Sequence, residues 1–308
     1  MCTRLILAGW DIVVLEKSNA PPKGSPTGAG LGIDPLAQQI IQSWLPQPEL
    51  LQEAILPLTI DQNIVTGGDK STRILTRDEN FNFGAAHWAD LHSLLYDALP
   101  PEIFLWGHVH LSFCISEDQT SVNVKAKSLQ TNEIIEINGD LLIAADGCLS
   151  SIRRIFLPDI KLRYSGYCAW RGVLDFSGKE SSETIIGIRR LYPDLGNCLY
   201  FHLDSGTHSV LYELPKKSST GFDAAVLGKC LQKWGLENLP SALEEYQSVR
   251  VPVISQQVLH SRRLGRIKQG LYLPDRGPFD PSTASPEDGE ELQQKNMPFF
   301  SGAPISAD

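Results

Sequence analysis

A chain of 308 residues, 42% hydrophobic and 20% charged, can bury one large core or two smaller ones and sits near the averages of globular α/β proteins. A net charge of −9, with no basic cluster interleaved with aromatics, excludes a nucleic-acid partner. The apolar runs are too short to span a membrane and Met1-Cys2-Thr3-Arg4 begins no recognisable signal peptide, so a cytoplasmic, reducing location is expected. Six cysteines, at positions 2, 114, 148, 168, 198 and 230, lack Cys-x-x-Cys spacing and read as free thiols.

In chain order, Cys2 to Gly9 reads as the last turns of a helix with Gly9 at its C-terminal cap. Ile12 to Glu16 follows as an apolar strand. An acidic residue at the end of the second strand of a dinucleotide fold accepts from adenosine ribose hydroxyls, although a charge also ends many ordinary surface strands. Prolines at 21, 22 and 26 then lead into Gly28-Ala29-Gly30-Leu31-Gly32, a glycine-rich loop. Helices are predicted over Pro35 to Trp44 and over Asp90 to Leu99, the second with Leu91, Leu94, Leu95 and Leu99 on one face. Ile103 to Lys127 and Glu133 to Ile137 read as strands of a small antiparallel insert, turning at Glu117-Asp118 and Thr131-Asn132. His108 and His110 share a strand face there, but no third ligand is near in sequence, and paired strand polar residues are the better reading than a metal site.

Leu141 to Ala145 reads as a short buried strand that breaks at Asp146-Gly147 and passes into a helix over Ser150 to Phe156. Gly147 permits positive φ and close approach of a ligand, the helix start offers backbone N–H groups to an anion, and Asp146 can accept from a ribose. The bland alternative is an Asp-Gly turn with Ser150 as N-cap. Gly166 to Leu214 is β-rich in pattern, with Tyr200, His202, Val210 and Tyr212 as sheet residues. Phe222 to Trp234 and Ala242 to Leu264 are predicted helical, broken by Pro252, with Arg262, Arg263, Arg266 and Lys268 on a solvated face. Beyond Leu273 a mobile tail is expected, with Ser285-Pro286-Glu287-Asp288 capping a short helix.

The pattern Asp146-Gly147-x-x-Ser150-x-x-Arg153 resembles the second flavin fingerprint of the FAD-dependent aromatic hydroxylases, single-component flavoprotein monooxygenases of the para-hydroxybenzoate hydroxylase fold. Glu16, then Gly28-Ala29-Gly30, then Asp146-Gly147 is that family's order, and Gly166 to Val173 looks like the aromatic-Arg-Gly strand of its branch related to 2,6-dihydroxypyridine hydroxylase. A core aromatic at Trp170 and a solvated or salt-bridged charge at Arg171 are at least as good a reading as direct substrate contact. The resemblance implies an α/β fold in which an incomplete FAD/NAD(P)-binding Rossmann-like domain is interleaved with a β-rich substrate domain and followed by C-terminal helices. The divisions it suggests are a partial FAD domain over 1–165, a shortened substrate sheet over 166–221, helices over 222–272 and the tail over 273–308. It implies Glu16, Gly28, Ala29, Gly30, Asp146, Gly147, Ser150 and Arg153 as FAD-binding residues, NAD(P)H as co-substrate, and a small aromatic substrate with O2 as partners.

Departures from the family pattern are equally plain. Only fifteen residues precede Glu16, too few for the first strand and its Gly-x-Gly-x-x-Gly turn. The late Gly-Asp motif is missing near residue 220, since Gly-Asp occurs only at Gly68-Asp69 and Gly139-Asp140. His87-Trp88 stands where the family has an arginine that reaches the FAD phosphates. Two function classes follow: an FAD-dependent monooxygenase, or a non-catalytic relative that binds FAD weakly or not at all.

Overall fold

The computed structural model describes residues 2–21, 30–164, 172–215, 233–235 and 238–293. Its elements run α1 (Cys2–Leu7), β1 (Val14–Glu16), β2 (Gly30–Ile33), α2 (Pro35–Gln42), α3 (Leu50–Ala54), β3 (Leu56–Leu58), β4 (Ile60–Thr66), β5 (Thr72–Asp78), β6 (Phe83–His87) and α4 (Trp88–Asp97). There follow β7 (Phe104–Trp106), β8 (His108–Ile115), β9 (Val122–Ser128), β10 (Ile134–Gly139), α5 (Ser151–Phe156), α6 (Glu183–Leu191), β11 (Cys198–Asp204), β12 (Thr207–Leu211), α7 (Leu239–Lys268) and α8 (Pro286–Leu292). The chain passes back and forth between two compact units. One comprises Met1–Trp10, Pro22–Leu99 and Val173–Asp308, the other Asp11–Pro21 and Pro100–Gly172.

In the smaller unit β1 lies parallel to β7, with Glu16 opposite Trp106. The antiparallel insert is β8, β9 and β10, with β9 in the middle. Its period-2 pattern is clean: Val122, Val124, Ala126 and Ser128 are buried while the residues between them face outward. Lys125 and Glu136 pair across its outer face at 2.8 Å. Gln119 and Asn132 adopt positive φ in the two hairpin turns, which lie where the turn residues of the sequence put them.

One expectation fails in this unit. Leu141 to Ala145 is not a buried strand; it joins no sheet, Leu141 to Ile143 are half-buried, and Ala144 and Ala145 are exposed. An extended run becomes a strand only when a neighbour takes its N–H and C=O groups, and among the described residues β1 pairs with β7 alone. Apolar character set the prediction, but no partner is in place to realise it.

Among the described residues the larger unit holds two sheets. In the first, β2, β6 and β3 are antiparallel and packed under α2, α3 and α4 around Ile33, Ile41, Leu51 and Leu91, each fully buried. Asp34 starts α2 by accepting from the N–H groups of Leu36 and Ala37, both at 2.9 Å, with Pro35 at the position that tolerates it. The second sheet has the order β12-β11-β4-β5, with β11 parallel to β4 and the other pairs antiparallel. It therefore draws on strands from either side of residue 165. Among the described residues, Ile60, Leu195, Cys198 and Tyr200 form one core on this sheet, Val65, Leu203, Leu264, Ile267, Phe279 and Leu292 another, and Leu199 and Phe201 join Leu58, Phe81 and Ala85 in a third.

Three further expectations are corrected here. Residues 183–191 form helix α6 rather than strand, because Ser182 caps it, Ile185 is buried, and Ile188, at helical spacing from it, packs on the sheet. Helix α7 runs unbroken through Pro252. A proline removes one backbone hydrogen bond, and here both Pro252 and Ser248, whose carbonyl it leaves, are exposed to water. Residues 273–293 of the supposed mobile tail are packed, with Phe279, Ala284 and Leu292 in the core and Arg276 bridging Asp288 and Glu291, each at 2.7 Å. The Ser285 cap is present as a full capping box with Asp288. The helix expected over Phe222 to Trp234 and the strand at Gly166 to Val173 lie largely outside the described residues. Among the described residues no helix is long and apolar enough to cross a membrane.

Candidate functional site

Within the smaller unit the structure brings four of the predicted residues together. Asp146 accepts from the N–H of Ser151 at 2.9 Å, and the buried Ser150 hydroxyl accepts from the N–H of Arg153 at 2.9 Å. Gly147 sits at φ +77°, a conformation that favours glycine, and nothing lies within 4 Å of where a Cβ would stand. The Arg153 guanidinium folds back to donate to the carbonyl of Cys148. The Ser150 hydroxyl, followed by the N–H groups of Ile152 and Ser151, holds the Asp146 carboxyl below the ordinary value of 3.8. Asp146 is thus a charged acceptor at neutral pH.

Glu16 closes β1 in the same unit, and one of its carboxylate oxygens accepts from the N–H of Ser18 at 2.7 Å. Gly30 belongs to the larger unit, in β2 opposite His87. Gly28 and Ala29 lie outside the described residues. At Gly30 the sequence reading missed a neighbour: a Cβ added there would stand 2.5 Å from the Tyr212 hydroxyl and 2.8 Å from its ring. A side chain at this position would force the Tyr212 ring to shift. His87 is the N-cap of α4 with no side-chain cap bond, its Nδ1 3.9 Å from the Asp90 carboxylate.

A second feature unforeseen from sequence is a strip of buried polar groups in the larger unit. Asp61, Gln62 and Asn63 are buried in the middle of β4, and Asn63 donates to Thr76 at 3.0 Å. Lys268, predicted to be solvated, is buried with its amine 3.8 Å above the Phe201 ring. Burial pulls that amine down to about 8, against the opposing attraction of Asp61. Arg263 is likewise taken up, by Asp275 and Glu291, and Arg266 donates to the carbonyl of Tyr272, so of the four basic residues only Arg262 fits the solvated reading. The one signal was the run Ile-Asp-Gln-Asn-Ile inside a strand pattern, where three consecutive polar residues break the alternation.

Comparison with solved structures identifies this architecture. HpxO from Klebsiella pneumoniae in complex with FAD and uric acid aligns with a TM-score of 0.61 at 16% identity, over 87% of this chain and 85% of that one. CtdE in complex with FAD and a substrate aligns with a TM-score of 0.60 at 12% identity, over 94% and 93%. The flavin-dependent monooxygenase PieE, also an FAD complex, aligns with a TM-score of 0.57 at 14% identity, over 94% of this chain and 65% of that one. The fold is the one these FAD complexes share.

Sequence likeness to curated proteins is local. Aurachin C monooxygenase/isomerase of Stigmatella aurantiaca is 46% identical over 57 residues, 18% of this chain and 13% of that protein. Monooxygenase cfoF of Aspergillus candidus is 42% identical over 60 residues, 19% of this chain and 14% of that protein. The chain therefore matches only a small fraction of the length of these curated relatives. No family model matches it.

The structures that share this fold are FAD complexes, and the residues in place here fit that cofactor in part. Glu16 and Asp146 are carboxylate acceptors suited to ribose hydroxyls, and Gly147 leaves its backbone open to approach. The start of α5 does not suit a phosphate. Its N–H groups, read from sequence as free for an anion, are taken by Asp146 and Ser150, and the Asp146 charge would repel one.

Proposed function

We propose that this chain acts as an FAD-dependent monooxygenase that uses NAD(P)H and O2 to hydroxylate a small aromatic or heteroaromatic molecule. The observation that carries the reading is the Asp146 to Arg153 turn and helix, with its left-handed Gly147 and charged Asp146, in a chain whose fold matches FAD complexes. FAD, when bound, supplies the redox chemistry, and the protein supplies binding, orientation and exclusion of water. Glu16 and Asp146 would hold ribose hydroxyls, with Gly147 allowing close approach. Ser150 and Arg153 keep the turn in shape. Cys2, Cys114, Cys148 and Cys198 are free, which supports a cytoplasmic location.

A specific observation favours a second reading, a relative that binds FAD weakly and does not turn over. The α5 N–H groups that would seat a phosphate are spent on the chain's own side chains, and the Tyr212 ring covers Gly30. Purification followed by a visible spectrum and titration with FAD separates the two. Stoichiometric flavin, lost in Asp146→Ala and Glu16→Ala, supports the enzyme. A colourless chain that leaves FAD fluorescence unchanged refutes it and leaves the second reading standing.

A further inference from the structure

Helix α7 is 30 residues long, and the buried side chains described along it lie near its two ends, Ala242 at one and Leu264, Ile267 and Lys268 at the other. The remainder presents an exposed stripe. Glu244 and Arg262 are eighteen positions apart, about five turns, so they lie on one side of the helix. Between them on that side come Ser248, Val251, Ser255 and Val258, all exposed, with Val251 at 53% and Val258 at 58%. Neither Glu244 nor Arg262 has an ion-pair partner among the described residues, whereas neighbouring Glu245 and Arg263 are paired with Lys233 and with Asp275 and Glu291.

The order along this stripe is acidic, small, apolar, small, apolar, basic. Turned end for end, it is complementary to itself. An antiparallel copy centred near residue 253 sets Glu244 against the partner's Arg262, Val258 against the partner's Ser248, and Val251 against the partner's Ser255, with each pairing repeated by the two-fold axis. Bulky side chains then meet small ones and both end charges are neutralised. A parallel copy would set like charge against like. We propose that this face of α7 is a homodimer interface, occupied by the same stripe of a second copy of this chain in antiparallel orientation.

Sedimentation equilibrium of the full chain tests the proposal, with circular dichroism to confirm that each variant folds. The expected result is a concentration-dependent dimer that weakens at high salt. Glu244→Arg and Arg262→Glu should each raise the dimer dissociation constant roughly tenfold or more by opposing like charges. Both changes in one chain should restore it, and so should mixing the two single variants, because each then supplies the charge the other lacks. A chain that is monomeric at every concentration overturns the proposal. So does a dimer indifferent to both reversals, or a monomer in which residues 244–262 are protected from hydrogen exchange by another segment or protein.

Discussion

Lys268 offers a quantitative test of the larger unit. Its side chain is buried above Phe201, and burial lowers the amine from 10.5 to about 8. At 1.36 kcal/mol per unit, a shift of this size corresponds to about 3 kcal/mol of folding cost for carrying the charge inside. Below pH 8 folded and unfolded chains both hold the proton, so the cost is fully present. Between pH 8 and 10.5 the unfolded chain retains a proton that the folded chain has released, so this contribution to stability rises with pH, and above 10.5 the cost is gone. Cys198 works the other way, because burial raises its thiol from 9.0 to about 12 and the unfolded chain ionises first. Tyr200, raised from 10.0 to about 12, adds to that decline. Lys268→Met leaves Cys198 and Tyr200 in place, so subtracting wild type from variant isolates the lysine. Urea unfolding from about pH 7 to 10.5 should show the variant's stability relative to wild type falling by about 3 kcal/mol. A difference that stays flat across this range would mean that Lys268 is solvated or keeps its proton in the fold.

Burial holds His202 below its ordinary value of 6.5, and among the described residues its Nε2 has no hydrogen-bond partner, so the fold disfavours its charged form. Stability should therefore fall as pH drops through 6.5, where the unfolded chain gains a proton, and His202→Phe should lose less thermal stability between about pH 7 and 5 than wild type. Gly30→Ala should cost about 1–3 kcal/mol, because the new methyl meets the Tyr212 ring. Combining it with Tyr212→Leu should return most of that loss in denaturant unfolding, and an additive double variant would exclude the contact. Arg276→Met removes both partly exposed ion pairs to Asp288 and Glu291, and a loss of about 1–2 kcal/mol is expected, with faster proteolysis of residues 273–293 as the readout. Unchanged proteolysis would show that Phe279 and Leu292 hold the segment unaided.

Much of the fold was legible where the signal is local. The hairpins of β8 to β10 follow from alternation and turn residues, α2 from Asp34-Pro35, α8 from the Ser285 box, and α5 from Ser150. Each depends on groups within a few positions of one another. Leu141 to Ala145 was misread because strand formation needs a neighbour that sequence proximity does not supply. The polar strip of β4 was missed for a related reason: its lysine comes from α7 and its aromatic from β11, about 200 and 140 positions along the chain. The Asp146 to Arg153 site was found by pattern, but not that Asp146 and Ser150 would use up the N–H groups of α5.

By itself the sequence determined the Asp-Gly turn, its capping serine and the acidic strand end at Glu16, since these require only the bonding preferences of adjacent residues. Tertiary structure decided the rest. It set Tyr212 against Gly30, drew Lys268 out of water and left one face of α7 bare. Those outcomes depend on which distant surfaces meet, and burial, not residue type, determines whether a lysine is a solvated charge or a group of perturbed pKa.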